Sequence, residues 1–113
     1  MLPKEKRLRK GHDFNRVYQK GKRLHSKSFN LSFYTNRSRL TKIGIVVGKK
    51  YSKKATERNR AKRVLRAAVL VDYDKIKSGF DIVIFVKNTA QTSKPEEIKK
   101  ELFEAISKGG LKK

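Results

Sequence analysis

The residues of this 113-residue chain best suited to chemistry are the basic side chains between positions 49 and 66. The segment carries nine Lys and Arg residues against a single acid, Glu57. Arginine presents a planar fork of donors that matches phosphate oxygens, and lysine adds a compact point charge. The pattern therefore predicts a surface that binds a polyanion through its phosphates. Its basic members are Lys49, Lys50, Lys53, Lys54, Arg58, Arg60, Lys62, Arg63 and Arg66.

The spacing of the later residues in this segment predicts a helix over about 55–71 with one cationic face. At 100° per residue, the basic residues and one asparagine fill an arc of about 200°. They are Arg58, Asn59, Arg60, Lys62, Arg63 and Arg66. The opposite side is apolar and comprises Ala61, Val64, Leu65, Ala68 and Val71. Basic side chains ordered on one helix face can contact successive phosphates of a folded polynucleotide. Asn59 can hydrogen-bond a nucleobase, a sugar or a neighbouring side chain.

The charge of the whole chain supports the same interpretation. Lys and Arg number 31 against 10 Asp and Glu, a formal net charge of +21. The first 66 residues hold 22 basic and 3 acidic residues, a net +19, whereas the other 47 hold 9 and 7, a net +2. So large a charge indicates a nucleic acid or an anionic membrane as partner, and no terminal segment resembles an amphipathic membrane anchor. The asymmetry favours a nucleic-acid-binding face built from the N-terminal half.

Other classes of protein are excluded by what the chain lacks. With no cysteine and only two histidines, neither a disulfide framework nor a Cys/His zinc site can be assembled. The longest apolar runs, 67–71 and 82–86, fall far short of the roughly 20 residues that span a bilayer. The N-terminus lacks the apolar core of a signal peptide, so we expect a cytoplasmic protein without a membrane partner.

The sequence predicts no catalytic and no metal-ligating residue in the protein itself. Before Asp72 the only acids are Glu5, Asp13 and Glu57, and no pair of them has a spacing suited to two-metal or general acid–base work. His12 and His25 are interpreted as neighbours of phosphates or as caps rather than as catalysts.

Aromatic residues supply a second kind of candidate site. Residues 28–35 alternate with period two, which predicts a strand with Tyr34 on its polar face. The ring of Tyr34 could stack on an unpaired base, but a ring that covers a sheet edge with its hydroxyl in water is an equally open interpretation. Phe14 and Tyr18 stand four residues apart and are typical of the core anchors of a short helix.

The remaining elements place these residues in one domain over 1–113. A basic segment at 1–10, with Arg7, Arg9 and Lys10, is expected to be an extended arm. A nearly continuous apolar run at 80–86 predicts a central strand covered on both faces. Pro95 opens a last helix, which ends at Gly109 and leaves 109–113 as a tail. The expected fold is α+β, an α/β sandwich with a small mixed sheet and three helices in the order α-β-β-(β)-α-β-α.

The segment from Arg58 to Arg66 resembles the RNR signature of the protein subunit of bacterial ribonuclease P. The resemblance extends to Gly44–Lys50, to the basic run Lys6–Lys10 leading into Asp13 and Phe14, and to the Phe33-Tyr34 pair. It covers nearly the whole chain in order, and the signature is fairly specific in a basic protein of this size.

This resemblance implies an α/β sandwich with a left-handed βαβ crossover, and an activity that removes the 5′ leader from precursor tRNA. In the family the RNA subunit is the catalyst and uses magnesium ions, so the implied partners are that catalytic RNA and precursor tRNA, with no cofactor on the protein and no protein partner required.

The resemblance also implies roles for individual residues. Arg58, Asn59, Arg60, Lys62, Arg63 and Arg66 would bind the RNA. Phe14, Tyr18 and Tyr34 would hold the single-stranded leader in a cleft between the first helix and the sheet. Arg7, Arg9, Lys10, Lys49, Lys50, Lys53 and Lys54 would add basic contacts.

Two alternatives to this function stay open on the residues alone. A ribosomal or RNA-chaperone protein would carry the same charge without any associated reaction. An independent metal-dependent nuclease is disfavoured, because the basic half of the chain contains so few acids.

Overall fold

In the computed structural model, which describes residues 3–92 and 94–113, three α-helices and four β-strands follow each other in the order α-β-β-β-α-β-α. The helices are α1 (Gly11–Lys20), α2 (Ala55–Asp72) and α3 (Pro95–Lys108). The strands are β1 (Lys22–His25), β2 (Phe29–Thr35), β3 (Lys42–Val46) and β4 (Phe80–Val86). Short 3-10 turns lie at Lys4–Lys6, Tyr73–Lys75 and Asn88–Thr92.

The described strands form one mixed sheet in the order β1-β2-β4-β3. β1, β2 and β4 are antiparallel neighbours, whereas β3 runs parallel to β4. Because α2 connects β3 to β4, these three elements form a βαβ crossover. The predicted α+β class, with a small mixed sheet and three helices, is confirmed; the hand of the crossover stays a prediction.

The main core lies on the sheet face that α2 and α3 cover. Alternation along β2 directs Phe29, Leu31 and Phe33 to this face, and all three are buried. They pack in one apolar cluster with residues of both helices, including Leu65 and Leu102. This face of the sheet is closed to solvent along the strands.

The opposite face carries a much smaller core. Val17 of α1, Val83 of β4 and Leu8 form a buried cluster, against which Phe14, Tyr18, Tyr34 and Val46 are partly buried. α1 is the only helix packed on this face among the described residues, and it is ten residues long. Part of the sheet is therefore left open beside it.

The apolar stripe of α2 differs from the predicted one at its C-terminal end. Ala61, Leu65 and Ala68 are buried as expected, but Val71 is 62% exposed. The buried positions continue instead through Val69 and Asp72, at the three- and four-residue spacing of one narrow stripe. The prediction for Val71 was wrong because it assumed a buried arc on α2 that is wider than the one actually covered.

No helix in the described ranges is long and apolar enough to cross a membrane.

Both ends of the described chain are tied to the domain. Leu8 is 5% exposed, and its backbone N–H donates to the Ile43 carbonyl of edge strand β3 at 2.9 Å. Residues 3–10 therefore do not form a free arm, and residues 1–2 lie outside the described part. The segment 109–113 is not a free tail either, because Leu111 is fully buried and its carbonyl accepts from the Lys77 N–H. The packing of these two segments was not predictable from the sequence, because a single apolar residue anchors each one: Leu8 in the first and Leu111 in the second.

Candidate nucleic-acid interface

The cationic residues of α2 divide into two stripes. Asn59, Arg60 and Arg63 are exposed to solvent on the outer stripe. Arg58, Lys62 and Arg66 follow each other at four-residue spacing and are half-buried. Arg66 lines a cavity together with residues of β3, which places this second stripe on the β3 side of the helix. The single cationic face predicted from the sequence thus addresses two different directions.

Arg58 is engaged in holding the loop that leads into α2. Its guanidinium Nη1 donates to the Ser52 carbonyl at 2.8 Å. The Ser52 hydroxyl donates to Glu57 Oε2 at 2.6 Å and accepts from the Lys54 N–H at 3.1 Å. The Ser52 hydroxyl thus satisfies the backbone N–H of Lys54, the residue preceding α2, whose own side chain caps no amide of the helix. Arg58 therefore has a structural role in addition to its charge.

The loop so held presents its lysines to solvent. Lys49, Lys50, Lys53 and Lys54 are all exposed. Tyr51 lies half-buried among them, and its backbone N–H donates to the Gly48 carbonyl at 3.0 Å. Burial raises the pKa of the Tyr51 hydroxyl, and Glu57 raises it further while Arg60 lowers it. The loop adds four exposed lysines before the cationic stripe of α2, and it contains no acid of its own.

The predicted aromatic residues meet on the open face of the sheet. Phe14 and Tyr18 from α1 and Tyr34 from β2 all surround the small core of that face, and all three are half-buried. Phe14 lies directly against β3, because a Cβ on Gly44 would stand 2.6 Å from two atoms of its ring. The glycine lets the ring rest on the strand, and we call the surface around the three rings, between α1 and the sheet, the aromatic cleft.

Tyr18 is neutral in this position. Burial of the phenol raises its pKa above the ordinary value of 10.0, and the nearby Arg23 partly lowers it. The Arg23 guanidinium also donates to the Tyr18 carbonyl at 3.0 Å, which ties β1 to the end of α1. The cleft therefore presents uncharged rings bordered by cations.

One end of the cleft is fixed by a buried carboxylate. Asp81 stands opposite Tyr34 in the β2–β4 register and is 4% exposed. It accepts a hydrogen bond from Asn36 Nδ2 at 2.9 Å, and Asn36 Oδ1 in turn accepts from the Ser38 N–H at 2.7 Å. This network orders the β2–β3 loop, which carries Arg37 in the left-handed conformation with φ 58°. The loop begins directly after β2, the strand that carries Tyr34, and its arginines Arg37 and Arg39 are exposed.

Phe85 is a candidate that the sequence prediction missed. It is 41% exposed, although the apolar run of β4 had predicted cover on both faces. It shares strand parity with Asp81 and Val83, so it lies on the open face, opposite Asn30 and Val46 in the register. Its neighbour Asn30 has Oδ1 2.9 Å from His25 Nδ1. The only sequence signal for the exposure of Phe85 is the short length of α1, which leaves this end of the sheet uncovered.

The N-terminal basic residues border the cleft from the β3 side. Arg9 and Lys10 are exposed, whereas Arg7 is half-buried and bridges to Ile43 at the edge of β3. His12 lies close by, with Nε2 3.3 Å from Asp13 Oδ1, and its side chain is largely exposed. Arg7 and Arg9 add positive charge beside Phe14, with which they line one cavity.

Three exposed acids lie away from these surfaces. Glu96, Glu97 and Glu104 are exposed on α3, which packs on the opposite face of the sheet from α1. Within residues 3–92 and 94–113, no group of three or more His, Asp or Glu side chains is placed to hold a metal ion. The described geometry therefore offers binding of phosphates and unpaired bases at surfaces where cations and rings outnumber the acids Glu5, Asp13, Glu57 and Asp81.

Comparison with known proteins gives a consistent result. The model of the family described as Ribonuclease P matches residues 2–109. A ribonuclease P protein component from Synechocystis sp. is 40% identical over 111 residues, covering 97% of this chain and 90% of that protein. Another from Pseudanabaena sp. is 38% identical over 109 residues, covering 96% of this chain and 94% of that protein.

Solved structures show the same fold. The RNase P protein of Staphylococcus aureus superposes with a TM-score of 0.86 at 26% identity, covering 96% of this chain and 98% of that one. The RNase P protein of Thermotoga maritima superposes with a TM-score of 0.82 at 29% identity, covering 90% of this chain and 96% of that one.

Proposed function

Because the chain belongs to the ribonuclease P family of protein components, we propose that it is the RNA-binding, non-catalytic subunit of a ribonucleoprotein that removes the 5′ leader from precursor tRNA. The observation that carries this proposal is the presence of two distinct RNA-binding features on one small domain. A solvent-exposed cationic stripe on α2 suits a folded RNA, and an aromatic cleft beside α1 suits an unpaired strand.

The outer stripe of α2 is assigned to the catalytic RNA. Asn59, Arg60 and Arg63 project from a helix whose other side packs in the main core. The lysines of the preceding loop are exposed as well. A rigid row of cations can neutralise successive phosphates and release their counterions. This row would hold the protein in one orientation on a structured RNA.

The aromatic cleft is assigned to the 5′ leader. Phe14, Tyr18 and Tyr34 are half-buried rings, and Phe85 extends the same face. Stacking of a base on such a ring contributes roughly 1–3 kcal/mol and tolerates any sequence. A cleft of this kind suits leaders that differ from one precursor to the next.

We assign the chemistry to the RNA subunit, with its magnesium ions. The described acids on the cationic side of the protein are few, and Asp81 is occupied in a hydrogen-bond network. The protein would act by strengthening substrate binding and by screening the repulsion between two RNAs, so that fewer metal ions are needed. We expect it to work in the cytoplasm, without a further protein partner.

A reconstituted cleavage assay tests this function. Purified protein is added to a bacterial ribonuclease P RNA and precursor tRNA at low magnesium, and we expect the rate of cleavage to rise. The variant R60Q/R63Q should stimulate less, whereas K99Q/K100Q, which removes the same charge from exposed positions on α3, should stimulate like the wild type.

Two other results would contradict the proposal. Absence of stimulation by the wild-type protein would favour a general RNA-binding protein with no associated reaction. Cleavage of precursor tRNA by the protein alone would favour an independent nuclease.

A further inference from the structure

A small cavity lies where the N-terminal segment, α1, α2 and β3 meet. Its volume is about 220 Å³, and four cations line it: Lys4, Arg7, Arg9 and Arg66. The rest of the lining is apolar or backbone, and no acidic side chain is among the lining residues. Four positive charges around one small space repel each other unless an anion enters.

Arg7 supplies an independent indication of a missing partner. Its Nε is buried and has no hydrogen-bond partner among the described residues. The backbone of Arg7 is held beside the cavity, because it bridges to Ile43 and the next residue, Leu8, is buried in the small core. A buried donor without an acceptor costs on the order of 1–3 kcal/mol, so an acceptor in the cavity would be favoured.

The nearest acids line an adjoining cavity. A neighbouring cavity shares Lys4, Arg7 and Arg9, but it also contains Glu5 and Asp13. The carboxylate of Asp13 accepts from Arg16 at 3.2 Å. Acids are therefore at hand in this region, yet they line the neighbouring cavity and not the one that holds Arg66.

We propose that the cavity beside Arg66 binds one phosphate group of the single-stranded RNA that crosses Phe14, clamped between Arg7 and Arg66. This inference rests on the proposed function and deepens it. Phosphate fits because two arginine forks can each offer paired donors to its oxygens. Phe14 lines the same cavity, so a phosphate seated here places the adjoining base beside its ring.

The site changes the role of Arg66. The signature in the sequence groups it with Arg60 and Arg63, but the structure turns it to the β3 side of the helix. Arg66 would then connect the helix that holds the catalytic RNA to the cleft that holds the leader, and a single phosphate would join the two.

Nuclear magnetic resonance of the arginine Nε–Hε groups tests the site directly. Inorganic phosphate is titrated at constant ionic strength, and the Arg7 signal is identified by its loss in R7K. We expect the Arg7 and Arg66 signals to shift together, and that of exposed Arg63 to shift less. In R66Q the Arg7 shift should need about tenfold more phosphate, the size of one charge-assisted hydrogen bond, whereas R63Q should leave it unchanged. An Arg7 signal that ignores phosphate, or that shifts alike in wild type and R66Q, would overturn the proposal.

A double-variant cycle tests whether the two arginines share one phosphate of an RNA strand. The ligand is an oligouridylate of about five nucleotides, and the variants are R7K, R66K and their combination. If Arg7 and Arg66 bind the same phosphate, the fold-loss of affinity in R7K/R66K should be smaller than the product of the fold-losses in R7K and in R66K. For R7K/R63K, in contrast, the fold-loss should equal the product of the two single fold-losses.

The remaining outcomes are decisive as well. If the fold-loss of affinity in R7K/R66K equals the product of the two single fold-losses, the two arginines do not share a phosphate. Inorganic phosphate that moves the Arg7 signal while oligouridylate does not would assign the cavity to a free anion and overturn the assignment to RNA. These measurements use the free protein, so a failure to stimulate precursor cleavage is a separate result that refutes the proposed function instead.

Discussion

The two faces of the sheet differ in how completely they are covered. On the face beneath α2 and α3, the side chains of β2 and β4 are buried in one continuous core. On the face beneath α1, the core is limited to Leu8, Val17 and Val83, and aromatic rings remain half-buried around it. The same strands serve both faces, because successive residues point in opposite directions. The closed face therefore stabilises the fold, and the open face is free to bind.

Adjacent residues of β4 separate these two roles most sharply. Ile84 is 1% exposed on the closed face, whereas Phe85 is 41% exposed on the open one. We expect Ile84→Ala to lower the free energy of unfolding by about 2–5 kcal/mol, because it leaves a cavity in the core. Phe85→Ala should lower it by less than about 1 kcal/mol and should instead weaken binding of single-stranded RNA. Urea unfolding and titration of oligouridylate measure the two effects; equal losses of stability would remove the distinction between the faces.

Loss of a cleft aromatic should affect precursor tRNA selectively. Tyr34→Ala or Phe14→Ala removes a stacking platform, so binding of precursor tRNA by the reconstituted enzyme should weaken by roughly 1–3 kcal/mol. Mature tRNA has no leader and should bind nearly as before. The conservative variant Tyr34→Phe keeps the ring and serves as the control. Equal weakening for both tRNAs would show that the cleft does not contact the leader.

The outer stripe of α2 should be recognised by its salt dependence. Replacing two phosphate-binding arginines in R60Q/R63Q should reduce the slope of log affinity for the catalytic RNA against log salt by about 1.5. The α3 variant K99Q/K100Q carries the same change in charge and should keep the wild-type slope. If both variants flatten the slope equally, net charge rather than a defined stripe governs binding.

The smallest expected effect concerns the loop that positions this stripe. Ser52→Ala removes the hydroxyl that bonds Glu57 and the Lys54 N–H, so the start of α2 should lose about 1 kcal/mol of stability. Hydrogen exchange of the Lys54 amide, and of the Arg58 amide that donates to the Lys54 carbonyl, measures the loss. Ser38→Ala, in an exposed loop, provides a comparison. Unchanged exchange in Ser52→Ala would show that Arg58 alone holds the loop.

Much of the fold was predictable because its patterns are local. The alternation of β2, the buried stripe of α3 and the glycines that end it all depend on residues close together in sequence. β1 was left open because Lys22–His25 is a short edge segment with a single apolar residue, Leu24, and shows no clear alternation. Its pairing with β2 depends on the rest of the sheet.

The site was predictable in composition but not in arrangement. Helical spacing identified the cations of α2, yet it could not show that Arg58 bonds the Ser52 carbonyl or that Arg66 turns toward β3. Phe85 escaped prediction because an uninterrupted apolar strand looks the same whether or not a helix covers its second face. Which side chains remain available to a ligand is decided by tertiary packing.

The central claim, that the open face holds the leader, is tested most directly by photo-crosslinking. A precursor tRNA with 4-thiouridine in its leader is bound to the reconstituted enzyme, irradiated, and the modified residues are mapped by mass spectrometry. We predict crosslinks to the open face, at Phe14, Tyr18, Tyr34 or Phe85. Crosslinks concentrated on α3, or absent from this face while the outer stripe of α2 is labelled, would contradict the account.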